Sequence, residues 1–287
     1  MNTLHANTDT TKSDYDYHQD YSRVSATMLK KFLEGRRKYE AIYIDQTIQP
    51  APPTRLMDRG AVIHQCVLQR RDVADVVCTY PDEVLNRNGG LVRARVDRFE
   101  EEHRDEFQIF MKASEVQQCE RILQAIRQHH CYDYLADESC QRDKPIFWQH
   151  GQTGLACRMR PDFLLELDDV VLYFDLKVTT NYTVNDFSTY LCGNRRGGQR
   201  GWVQIAHYCE GIRAAYGKPV ALRLICVNPE SPNEIRIHRL APQSLDECLP
   251  LYTDAMLDLA RCRATNDFAD PQESDDNVVV MNRWEIC

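Results

Sequence analysis

The sequence predicts an α/β domain with a mixed central sheet flanked by helices and a helical elaboration on its N-terminal side. Three observations carry that class. Val170–Thr180 (VVLYFDLKVTT) is an apolar run rich in Val, Leu, Tyr and Phe, too short for a comfortable helix, and reads as a buried strand. Just before it, Phe163–Leu167 is a second apolar stretch, and Asp168-Asp169 makes a hairpin-like break between the two. Downstream the pattern changes to helix, strand, strand, helix, an order that suits helices packed on a sheet.

The elements follow in order. Residues 1–20 are polar and rich in Thr, Asp and His, with little to bury, and read as a mobile tail. Ser25 is placed to cap a helix over Ala26–Leu33, whose apolar residues fall at helical spacing. Gln49–Pro53 interrupts, and a second helix is expected from Thr54 to Gln69, with Gly60 and His64 one turn apart on one face. Between Asn86 and Ala113 a Gly-Gly break gives way to charged residues with sparse apolar ones. Arg93 and Arg95 there fit a solvated helix face better than a DNA contact. Ser114–His129 reads as an amphipathic helix. Lys144–Trp148 is expected to begin the sheet and Leu155–Met159 to continue it. After the strand ending at Thr180, a short helix is expected over Val184–Leu191, then another over Trp202–Tyr216. Strands at Val220–Val227 and Glu234–His238 and a long helix at Leu245–Arg263 complete a domain spanning residues 21–264. The acidic stretch 265–276 reads as disordered, within a tail 265–287 whose Val278–Met281 and Trp284 could dock on a neighbour or back on the core.

Composition narrows the function. At 287 residues, 43% hydrophobic and 27% charged, the chain can bury a full core and has the make-up of an ordinary soluble protein. No apolar run approaches membrane-spanning length, and the polar N-terminus lacks a signal-peptide core. The twelve cysteines include no C-x-x-C, which argues against zinc ribbons and clustered iron–sulfur ligands and fits reduced thiols in a cytoplasm. A net charge of −8 argues against a passive nucleic-acid coat but not against a nuclease, whose carboxylates are neutralised by the ions they bind.

The chemistry concentrates on one strand. Side chains alternate in a strand, so Asp175 and Lys177 point the same way, and two charges on an otherwise apolar face are costly unless paired, hydrated or metal-bound. Taken alone, the triplet describes an ion pair at a strand end. Asp162, after Pro161, changes that, because antiparallel pairing about Asp168-Asp169 brings its carboxylate towards Asp175. Two convergent carboxylates make a hard oxygen site suited to Mg²⁺ or Mn²⁺. A lysine beside them can stabilise an attacking hydroxide or a phosphate oxygen, which is an arrangement for phosphodiester hydrolysis. Downstream, Cys192–Gly201 interleaves Arg195, Arg196 and Arg200 with glycines, either as a plain surface loop or as a loop that grips phosphates. Failing that, a DNA groove would be sought around Arg158, Arg160 or Arg93.

Pro161-Asp162 followed by Asp175-Leu176-Lys177 on a hairpin resembles the core of the PD-(D/E)XK nucleases, with Asp in the second acidic position. Gly60-Ala-Val-Ile-His64, Cys157-Arg-Met-Arg-Pro-Asp162 and Gln204-Ile-Ala-His-Tyr208 resemble the exonuclease VIII (RecE) nuclease domain, in ordered blocks from about Tyr21 to Pro229. The resemblance implies a restriction-endonuclease-like core. In it Asp162, Asp175 and the carbonyl of Leu176 hold Mg²⁺ (with Mn²⁺ able to substitute), and His64 completes the site. It further implies that Lys177 activates the attacking water and that Gln204 and Tyr208, a Q-x-x-x-Y pair on one helix face, orient phosphate or water. Asp143 stands near where relatives often place an extra acidic residue. The implied activity is a Mg²⁺-dependent exodeoxyribonuclease on ends of linear duplex DNA, 5′-to-3′, leaving 3′ single strands for a RecT-like annealing protein. A ring-like homo-oligomer in a bacterial cytoplasm, bacterial or phage-encoded, belongs to the same expectation. The rival readings are a structure-specific or nicking endonuclease of the same superfamily, and a non-catalytic DNA-binding or assembly protein that keeps the fold.

Overall fold

The computed structural model describes residues 14–49, 54–185, 188, 191 and 200–270. A short helix α1 (Asp14–Gln19) leads to α2 (Ala26–Glu34) and α3 (Arg36–Tyr39), which runs into a π-helical turn; α4 (Arg55–Leu68) and α5 (Val73–Val76) follow. Next come β1 (Val77–Thr79), α6 (Arg93–His103), β2 (Ile109–Met111), α7 (Ala113–Gln128) and α8 (Tyr132–Ala136). The sheet-forming half contains β3 (Gln141–Arg142), β4 (Ile146–Gln149), β5 (Ala156–Met159), β6 (Phe163–Glu166) and β7 (Val171–Val178). Helix α9 (Gly201–Tyr216), β8 (Val220–Val227), β9 (Ile235–Arg239) and α10 (Pro242–Thr265) complete the order.

The central sheet has five strands in the order β3-β6-β7-β8-β9, parallel only between β7 and β8. The mixed sheet expected from sequence is therefore present. The parallel pair needs a crossover, which α9 supplies, whereas β6 and β7 close a tight hairpin through the Leu167–Val170 backbone bond. Alternation along β7 sorts its side chains into two cores. Val171 and Tyr173 pack with α2, α9, α10 and the β4–β5 hairpin. Phe174 and Leu176 pack with α4, α7 and α8. Asp175 and Lys177 continue the first set, as the period of two requires.

Local chemistry accounts for the helix starts. The side chain of Ser25 accepts from the Met28 amide, and that of Thr54 from the Met57 amide, each filling one orphan donor of a helix N-terminus. Helix α9 stops where Gly217 takes a left-handed φ of 65°.

Three expectations are corrected. The polar tail does not extend to residue 20: α1 forms and buries Tyr17 against Phe147, Arg158 and Arg160. At the other end Phe268 is buried and stacks on Tyr39, so residues up to Asp270 pack on the domain. Residues 271–287, including Val278–Met281 and Trp284, lie outside the described residues. The strands at 144–159 do not open the central sheet: β4 and β5 pair with each other, and β3 holds the edge instead. The charged stretch after Asn86 forms α6 as its helix face implied, seated on a small cluster of Tyr80, Val84 and Val96. No helix among the described residues is long and apolar enough to cross a membrane.

The first core reaches the site through α9. A Cβ added at Gly211 would lie 2.8 Å from Trp148 Cζ3 and 2.9 Å from Met159 Cε, so the helix can approach β4 and β5 only because this residue has no side chain. Gly211→Ala should cost about 1–3 kcal/mol by overpacking, read as a lower urea or thermal midpoint.

Candidate active site

The β6–β7 register fixes the first relation. Phe163 pairs with Phe174, so Asp162, one step beyond, stands opposite Asp175. Asp175 is 3% exposed, and a buried carboxylate must be satisfied. Tyr173 Oη donates to its Oδ1 at 2.9 Å and Gln204 Nε2 to the same oxygen at 3.0 Å, while Lys177 Nζ lies 2.7 Å from Oδ2. The triplet is thus an ion pair, but one built into a hydrogen-bonded cluster next to a second carboxylate.

Asp162 is held differently. The Leu176 amide donates to its Oδ2 at 2.7 Å, and the carbonyl of the same Leu176 lies 2.8 Å from His64 Nε2. His64 Nδ1 is 3.6 Å from Asp162 Oδ1, closing a ring of carboxylate, peptide and imidazole. Burial disfavours charge on both groups, yet their mutual attraction prevails. The Asp162 carboxylate holds the His64 pKa above the ordinary histidine value. Against the same burial, His64, Lys177 and the Leu176 amide hold Asp162 below the usual carboxylate range. A protonated His64 donates to the carbonyl through Nε2 and pairs with the carboxylate through Nδ1, placing a positive charge between two oxygen ligands.

Helix α4 delivers His64 from the second core and α9 delivers Gln204 from the first, so the site sits where the two meet at the end of the β6–β7 hairpin. Gln204 and Tyr208 share a face as expected but divide the work. Among the described residues Tyr208 makes no hydrogen bond to either carboxylate; its ring packs on Tyr173 with centroids 5.6 Å apart, and burial pushes its hydroxyl pKa well up. Tyr173 was missed by the sequence reading. Its position two residues before Asp175, on the same strand face, was the available signal.

With this geometry in place, comparison with known proteins is informative. Residues 25–276 match the family described as a PDDEXK-like domain of unknown function (DUF3799). The chain belongs to this PDDEXK-like family. A crystal structure from Eubacterium rectale described as a "Putative exonuclease" superposes with a TM-score of 0.59 at 14% identity, covering 96% of each chain. That likeness establishes the shared fold. No curated protein matches the sequence.

The donor chemistry suits the hard divalent cation typical of PDDEXK nucleases: two carboxylates, one carbonyl and one imidazole, with His64⁺ lying between donors that would otherwise face a cation. The expected convergence of both carboxylates is not seen in this arrangement, since Asp175 turns to Lys177 while Asp162 turns to His64. Among the described residues no three His, Cys, Asp or Glu side chains group tightly enough to hold a metal, so such a set relies on the Leu176 carbonyl and on release of Asp175 from Lys177. Asp143 does not join the carboxylates but pairs with Arg160 at 3.7 Å.

The arginines separate. Arg158 is buried, with its guanidinium 4.7 Å from the Tyr17 ring centroid and one nitrogen donating to the His18 carbonyl, so it is not a surface groove residue. Among the described residues its Nε and Nη1 have no hydrogen-bond partner. Arg160 is half-buried, also over Tyr17, beside a cavity of about 480 Å³ lined by Thr27, Tyr43, Arg158 and Tyr208. Arg200 adopts a left-handed φ of 46° just before α9, next to Gly201, which lines a narrow cleft with Asp175, Lys177 and Gln204. Arg195 and Arg196 lie outside the described residues, as does half of the expected helix over 184–191. Arg93 is exposed and pairs with Asp97, the solvated face expected.

The ring at Asp162 has a pH signature. A histidine with a raised folded-state pKa stabilises most below its unfolded value of about 6.5, and the contribution is lost as pH rises through the folded value. In chelator, the wild-type advantage in thermal midpoint over His64→Gln should therefore shrink as pH rises from 6 to 9.

Proposed function

We propose that the chain is a Mg²⁺-dependent exodeoxyribonuclease that hydrolyses phosphodiesters at ends of linear double-stranded DNA. The observation that carries this reading is the pairing of Asp162 opposite Asp175 with Lys177 on the same strand face and His64 across the Leu176 peptide. Its family membership supports nuclease chemistry as the class to test. Asp162, Asp175, the Leu176 carbonyl and His64 would hold Mg²⁺, or Mn²⁺ in its place. When bound, the ion would polarise the scissile phosphate and offset charge on the entering and leaving oxygens.

The remaining work falls to side chains. His64 must give up its proton to ligate, and Asp162 must exchange the imidazolium for the ion. Lys177, once its ion pair with Asp175 opens, is free to stabilise the attacking water or a phosphate oxygen. Gln204 and Tyr173 keep Asp175 oriented through that exchange, and Tyr208 braces Tyr173. Arg200 and Arg160, with Arg195 and Arg196 just before Arg200 in sequence, supply the positive charge that tracks the DNA backbone on an otherwise acidic chain. The resemblance to RecE supports 5′-to-3′ polarity, 3′ single-stranded products for a RecT-like annealing protein, a ring-like homo-oligomer and a cytoplasmic setting.

The test is digestion of end-labelled linear duplex and covalently closed circular DNA with Mg²⁺, with Mn²⁺ and with chelator. Linear DNA should be degraded from its ends only with the metals, and circles should survive. Cutting of circles would mark an endonuclease, and binding without hydrolysis would mark a DNA-binding module. Asp175→Asn and Lys177→Met should each lower the rate by about 10²–10³-fold or more while retaining folded circular dichroism spectra.

A further inference from the structure

The cavity of about 480 Å³ beside Arg160 adjoins the carboxylate cluster. Tyr208 lines it and packs on Tyr173, whose hydroxyl donates to Asp175 at 2.9 Å. Tyr17 from α1, the first turn of α2, Arg158 and Arg160 line its other sides. Arg158 is the unusual member. It is only 4% exposed, and among the described residues it makes no ion pair and its Nε and Nη1 are buried without a hydrogen-bond partner. Its bond to the His18 carbonyl, at 3.2 Å, satisfies Nη2 alone. Buried donors without acceptors are destabilising, and a methionine could pack on Tyr17 without that cost. The start of α2 points the same way. Ser25 Oγ takes the Met28 amide at 3.3 Å, the amides of Ala26 and Thr27 have no place in the helical ladder, and the first turn carries no acidic residue. The one carboxylate in the lining, Asp143, is paired with Arg160 at 3.7 Å. A helix N-terminus and a buried guanidinium therefore border one cavity, and both favour an oxyanion.

We propose that this cavity binds a phosphate monoester, anchored by Arg158 and the first turn of α2. The monoester is either the terminal phosphate of a DNA strand held at the adjoining carboxylates or that of a free mononucleotide. The link to a strand end rests on the nuclease reading above. Depth favours a monoester over a diester. A guanidinium so little exposed is reached only by a group that inserts end-on, whereas a diester is tied on both sides and lies along a surface. A monoester also carries a second negative charge near neutral pH, and the planar fork of arginine matches two of its oxygens. The volume exceeds that of a phosphate alone and leaves room for the sugar that bears it.

The experiment compares the full-length wild type with two variants. Thr27→Glu adds a carboxylate at an exposed residue of the cavity lining. An acidic side chain in a first helical turn is favourable, so this variant should melt no lower than wild type. Arg158→Gln removes the guanidinium directly; if it fails to fold, Thr27→Glu alone decides. In chelator, inorganic phosphate and deoxythymidine 5′-monophosphate are titrated in by calorimetry. Wild type should bind both, and Thr27→Glu should bind them about tenfold more weakly or worse, the worth of one charge-assisted contact. In Mg²⁺, linear duplexes with a phosphate or a hydroxyl at the 5′ end, and likewise at the 3′ end, are compared at subsaturating concentration. One kind of phosphorylated end should be cut about tenfold faster than its hydroxyl counterpart, and Thr27→Glu should abolish that ratio. A ratio lost in the variant assigns the site to the strand terminus. Nucleotide binding lost in the variant, with no end preference in wild type, assigns it to the free mononucleotide. Absence of both in wild type, or their persistence in Thr27→Glu, overturns the site. A wild type that binds the nucleotide but cuts no DNA overturns the nuclease reading and leaves the phosphate site standing.

Discussion

The hydrogen bond from the Leu176 amide to the Asp162 carboxylate is the constraint on which the site depends. It joins two strands at the point where their ladder ends, and it does so through one residue that serves three purposes. The Leu176 side chain is buried in the second core, its N–H fixes Asp162, and its carbonyl meets His64. A shift of β7 by one residue would turn Leu176 towards the first core and Asp175 towards the second. The two cores therefore set the site's geometry, and the charges are positioned by packing that is itself apolar.

The electrostatics follow from that placement. Neither carboxylate could stay charged in such surroundings without partners, and each has been given a different kind. Asp175 has donors from its own strand and from α9, which make it rigid; Asp162 has a peptide and a titratable ring, which make it exchangeable. The division suits a centre in which one carboxylate acts as a fixed post while the other trades one cation for another. It also reconciles the bland and functional readings of Asp175-Leu176-Lys177, since an ion pair at rest can still open to a ligand of higher charge.

Much of this was legible in the sequence because it follows from periodicity. The two-residue alternation of β7, the hairpin at Asp168-Asp169 and the one-turn spacing of Gln204 and Tyr208 each fix which side chains share a face. What escaped was set by long-range packing. Tyr17 lies in a segment with almost nothing else to bury, and it becomes structural only because Val24 bridges to β5 and draws the N-terminal segment across Arg158 and Arg160. Phe268 is likewise a single aromatic in an acidic stretch. Arg158 read as a surface charge because nothing local announces the aromatic ring above it.

The cysteines, set aside at first as a sign of compartment, acquire a different meaning in three dimensions. Nine of the ten described thiols are buried, and burial pushes several far up, those of Cys66, Cys119 and Cys131 to about 11 and those of Cys157, Cys209 and Cys226 to about 12. They occur in both cores, with Cys157 and Cys209 in the first and Cys66 and Cys119 in the second. In the folded state the nine buried thiols are thereby poorly reactive towards alkylating reagents, and each core carries its own silent reporters. The rate at which those thiols become reactive is a clock for local opening, able to tell whether the layer that carries His64 and the layer that carries Gln204 come apart together or one at a time.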